Sequence, residues 1–102
     1  MSAQVIHQPR VAWDAARTFI TFASSDGETY ARFEARVDDV LGPRIREALR
    51  DSRKRLNESP RPDTHLIELG AWRVRLEDLL RAGPELGEAL QALAATRPSQ
   101  SS

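Results

Sequence analysis

The chain has no cysteine. Disulfides, thiolate metal sites and cysteine nucleophiles are therefore excluded, and the composition suits a reducing compartment. It has no apolar run near the roughly 18 residues that a membrane-spanning helix needs. The opening MSAQVIHQPR carries no apolar signal core, so a cytoplasmic protein is the expectation. It has no net charge, because fifteen basic residues balance fifteen acidic ones. A bulk pull toward nucleic acid or anionic membrane is thereby removed, and only a local patch can supply one. The five glycines form neither G-x-G-x-x-G nor G-x-x-x-x-G-K, so no phosphate cradle is written in the chain. His7 and His65 are the only histidines, which does not support chelation, and no G-x-S-x-G turn presents a nucleophile. No cofactor or metal is expected, and no repeat of fixed period is present.

What remains is ordinary in amount and specific in pattern. A chain of 102 residues suits one domain with one core. Fourteen arginines stand against one lysine, with fourteen alanines, a bias typical of GC-rich bacterial genomes. The densest apolar stretch is Asp63 to Gly83, DTHLIELGAWRVRLEDLLRAG. At helical spacing Leu66, Leu69, Trp72, Leu76, Leu79 and Leu80 share one broad face, with Glu68, Arg75 and Asp78 mostly away from it. Ile67, Ala71 and Val74 make a second, smaller patch on nearly the opposite side. Asp63 or Thr64 suits the first turn, and Arg81 followed by Gly83 suits the last. The segment Ala71–Glu77 also alternates, as a half-buried strand would, but the helical match runs longer.

Along the chain, residues 1–10 read as a flexible lead-in. Trp13, Ala16, Ile20 and Ala23 recur at helical spacing, although Thr18 to Phe22 is rich in strand-forming types. Ser25 and Glu28 match a capping box and place a helix start after Ser25. Tyr30, Phe33, Val37, Val40 and Leu41 then share a face. Gly42-Pro43 is a kink or a break, and the apolar stripe resumes through Ile45, Ala48, Leu49 and Leu56. The loop Asn57 to Asp63 carries two prolines, Pro60 and Pro62, and reverses the chain. Pro84 to Thr96 forms a last helix, and 97–102 is a polar, disordered tail. The expected fold is all-α: one domain over residues 11–96, a small bundle of four to five amphipathic helices. The alternative is an α+β fold with a hairpin around residues 17–37.

Three constellations could carry chemistry. Arg46, Arg50, Arg53 and Lys54 cluster on one helical face, which phosphate contacts require, but Glu47 and Asp51 lie beside them. Glu34 with Asp38 and Asp39 is an acidic group without an ordered ligand loop, so a solvated face is the plainer reading. Asp63 and Glu68 flank His65, which would need a nucleophile and an oxyanion site to act as a base. None names a reaction. The expected function is non-enzymatic: protein–protein interaction, with a homodimer as one form, through Ile67, Ala71, Val74 and Trp72. The alternative is a small nucleic-acid-binding regulator using the basic face at 44–55.

Overall fold

Every third or fourth residue of the first helical segment is small or apolar, and on three of its sides. Val11, Ala12, Ala15, Ala16, Phe19, Ile20, Phe22 and Ala23 are all buried in the computed structural model, which describes residues 8–59 and 61–98. They lie on α1 (Gln8–Ala23). Alanines at 12, 15, 16 and 23 keep that surface low, so several helices can approach one axis at once. The helix begins at Gln8. Pro9 fits its first turn, where a missing N–H costs nothing. Residues 8–10 of the expected lead-in therefore belong to α1, and the rest of that segment lies outside the described residues, as do 99–102 of the expected tail.

Among the described residues the chain is five α-helices and no strand: α1, α2 (Gly27–Leu41), α3 (Pro43–Glu58), α4 (Pro62–Ala82) and α5 (Gly87–Ala94), with a single 3₁₀ turn, Pro84–Leu86, before α5. The all-α expectation holds, and residues 17–37 are helical on both sides of a turn, not a hairpin of strands. The Thr18 hydroxyl, buried, donates to the Ala94 carbonyl at 2.7 Å and ties α1 to the end of α5. The β-branched run around it is thus accommodated by tertiary packing that outweighs local propensity.

α1, and not the leucine-rich α4, is the central element. α4, α5 and α3 all pack on it. Phe19 is its hub, with Phe33 edge-on at 5.3 Å between ring centroids and Trp72 tilted at 5.0 Å. Phe22 stacks on Phe33 at 4.0 Å. α2 starts one residue later than the capping box suggests. The Asp26 carboxylate accepts from the Thr29 N–H at 3.1 Å, while the Ser25 hydroxyl donates back to the Phe22 carbonyl at 2.6 Å. Asp26 is the better cap because its charge also meets the positive end of the helix.

At Gly42 the chain breaks and reverses. Its N–H closes α2 on the Asp38 carbonyl, and its own carbonyl accepts from the Arg46 N–H. Its φ of 95° with ψ of 172° belongs to a region that residues with a Cβ hardly occupy. Pro43 then opens α3 with φ already set. Gly42→Ala is expected to cost about 1–2 kcal/mol in urea denaturation, all of it backbone strain, since the space around the position is open. An unchanged midpoint would mean that the turn relaxes freely.

Candidate interaction surface

The buried ridge of α4 is Glu68, Trp72, Leu76 and Leu80, spaced by four. Leu69 and Leu79 are half-buried beside it. This ridge is rotated from the face that the leucines alone suggest. Leu66, expected inside, is 67% exposed, and Glu68, expected outside, is buried. The carboxylate is tolerated because it is fully bonded. Its Oε1 accepts from the Ser52 hydroxyl at 2.6 Å and Arg55 Nη2 at 3.1 Å, and its Oε2 accepts from Arg55 Nε at 2.6 Å. The indole Nε1–H of Trp72 donates to Ser52 Oγ at 2.7 Å. One polar network thus joins α3 to α4, buried at Ser52, Glu68 and Trp72 and open to water at Arg55. The Arg55 guanidinium on Glu68 holds that carboxyl below its usual range, against the opposing effect of burial.

Trp72 is therefore not on the outer surface. It is 2% exposed, faces α1 and α3, and carries the Arg75 guanidinium 5.3 Å from its ring. The other three residues expected at a contact, Ile67, Ala71 and Val74, are exposed together on the side of α4 opposite the ridge. Leu66 and Gly70 belong with them by helical angle. Ile67 is 67% and Val74 50% exposed. From Leu66 to Val74 the stripe runs about 12 Å along the axis. Leu66 and Gly70 sit at helical spacing beside Val74, a signal present in the sequence, but by residue type Leu66 also matches the leucine face. Among the described residues, Trp13, on α1, is the remaining large exposed apolar side chain, at 39%.

The basic face of α3 is occupied from within. Arg50 grips Glu34 through Nε at 2.9 Å and Nη2 at 3.2 Å. This pairing leads the causes that hold the Glu34 carboxyl down. Arg46 Nε lies 3.4 Å from Asp38. Arg53 donates to the carbonyls of Ala23 and Ser25 and stacks 4.4 Å over the Tyr30 ring. Burial, then the bond from its hydroxyl to Glu34, pushes Tyr30 ionisation up. Lys54 is exposed. The acidic group Glu34–Asp38 is thus the counterpart of the basic one. The two sets lie at matching distances from Gly42, which the sequence carries as a signal: a reversal there pairs 38 with 46 and 34 with 50. Among the described residues no cluster of three or more His, Cys, Asp or Glu could hold a metal ion, and no helix is long and apolar enough to cross a membrane.

His65 is exposed in the first turns of α4. It lines an open groove of about 670 Å³ with Asn57 and Arg61, above Leu56, Pro62 and Leu66. The groove joins one end of the outer face of α4, through Leu66, to the end of α3. No protein-family model, curated protein or solved structure matches the chain.

Proposed function

We propose that this chain is a non-enzymatic helical module that works through protein–protein contact, with the outer face of α4 as its docking surface. The observation that carries the reading is the exposure of Leu66, Ile67 and Val74 in one stripe, on a helix whose opposite ridge is committed to the core. Apolar side chains gathered this way cost solubility unless a partner covers them. Asp63 stands on the stripe and Asp78 beside it is paired with Arg81, so a protein surface fits it better than an anionic lipid. The nucleic-acid reading ranks below this one, because Arg46, Arg50 and Arg53 already serve α2 and the α1–α2 turn.

Site-specific photocrosslinking in cells tests the surface. A photoreactive residue in place of Ile67 or Val74 is expected to give a defined adduct, and one in place of the exposed Asp39 is expected to give none. Val74→Glu, placed together with the photoreactive residue at 67, should abolish the adduct while shifting stability by no more than about 0.5 kcal/mol, as an exposed position allows. Equal labelling from positions 39, 67 and 74, or none from any, would overturn the reading.

A further inference from the structure

We infer that the occupant of this face is a second copy of the chain, packed antiparallel along α4, with Val74 of each copy seated over Gly70 of the other. The inference rests on the docking surface proposed above and adds its partner and register.

Gly70 stands in the middle of a 21-residue helix, where glycine is unfavourable relative to alanine. Among the described residues nothing asks for it: a Cβ there would meet no atom within 4 Å. What glycine leaves is bare backbone at the centre of the exposed stripe, with the small Ala71 beside it. Such a spot admits a side chain from a closely approaching helix.

The spacing agrees. Asp63, Ile67, Gly70, Val74, Glu77 and Arg81 alternate in steps of four and three, the pattern of a two-helix seam, and all lie on the side of α4 away from its buried ridge. In an antiparallel pair, the register that sets Gly70 against Val74 also sets Ile67 against Glu77 and Asp63 against Arg81. Two-fold symmetry makes each of these contacts occur twice. The charges then decide the direction. Asp63 is in the first turn and Arg81 in the last. Antiparallel packing brings the acidic end of each helix to the basic end of the other, and the helix dipoles oppose as well. A parallel pair would place Asp63 on Asp63 and Arg81 on Arg81. Glu77 is held by Arg73 of its own helix at 3.3 Å, which leaves its methylene stem to meet Ile67. Arg81 also bonds Asp78 at 2.7 Å within its own chain, an exposed contact that leaves the guanidinium further donors for Asp63.

Sedimentation equilibrium of the full chain tests this, with circular dichroism confirming that each variant folds. The wild type is expected to dimerise. Asp63→Arg and Arg81→Asp should each weaken the dimer about tenfold, because two attractive pairs become repulsive. The two changes in one chain should restore it, and an equimolar mixture of the single variants should form heterodimers. Gly70→Leu should abolish the dimer and leave the helix content intact. A wild type that stays monomeric at all concentrations overturns self-association, while the docking surface then stands or falls on its photocrosslinks. A dimer indifferent to both the charge swap and Gly70→Leu overturns the register.

Discussion

Trp72→Ala is expected to lower the stability of the fold by about 3–5 kcal/mol, the range for truncating a buried tryptophan. A domain of this size holds about 5–15 kcal/mol in all, so the variant should stand close to unfolding. Three losses combine at this position. The ring is 2% exposed and fills the contact between α4 and the central α1, against Phe19. Its removal leaves a cavity that neighbours on rigid helices cannot close. The indole N–H is also the third partner of the Ser52–Glu68 network. Trp72→Phe separates the terms. It keeps much of the ring packing and deletes the donor with part of the ring, so its cost should be smaller, about 1–2 kcal/mol. Urea denaturation followed by circular dichroism gives both numbers. A loss below about 1 kcal/mol for Trp72→Ala would mean that α4 is not seated on α1 through this ring.

The elements of the fold were legible because each helix announces itself locally. The reversal at Gly42-Pro43, the start of α4 at Pro62, where the sequence suggests a loop running on to Asp63, and the Gly83-Pro84 joint are all backbone chemistry that one chain segment decides alone. The orientation of α4 was not legible in the same way. Its apolar residues surround much of the helix, so their mean direction is poorly defined, and a rotation of well under one turn exchanges Leu66 for Glu68. Only the presence of Ser52 and Arg55 on a helix sixteen and thirteen residues earlier makes the buried carboxylate acceptable. Periodicity within a segment carries no information about such a neighbour. The central role of α1 was hidden for a related reason. Four alanines add little to hydrophobicity, yet small side chains are what let three helices meet on one axis. The basic face shows the same limit: the cations were seen, and the carboxylates that neutralise them lay across a turn. The exposure of Ile67, Ala71 and Val74 was legible because an apolar patch opposite a larger one has few places to go inside a small bundle.

Arg55→Ala is expected to cost about 2–3 kcal/mol at neutral pH, through the charge that it strands. The figure sits below the full cost of breaking a buried pair, because the arginine side is half-exposed and screened by water. Glu68 Oε2 accepts from Arg55 Nε, and Oε1 keeps the Ser52 hydroxyl when the guanidinium is gone. The penalty should depend on pH with a definite sign. In the wild type the guanidinium holds the Glu68 carboxyl below its ordinary value of 4.5. That stabilisation is present in full above the ordinary value and is lost as pH falls through the lowered one. Without Arg55 the largest lowering cause is gone and burial acts in the opposite direction, so the carboxyl moves up. The ionised group has then lost its main partner at neutral pH, and protonation lessens the consequence of that loss. The difference between wild type and variant should therefore be widest near pH 7 and close as pH falls through about 4. In a Glu68→Gln background the same substitution should cost much less and show little pH dependence, since no charge is left to strand. A penalty of equal size at both pH values, in both backgrounds, would assign the effect to the lost packing of the arginine stem and not to its charge.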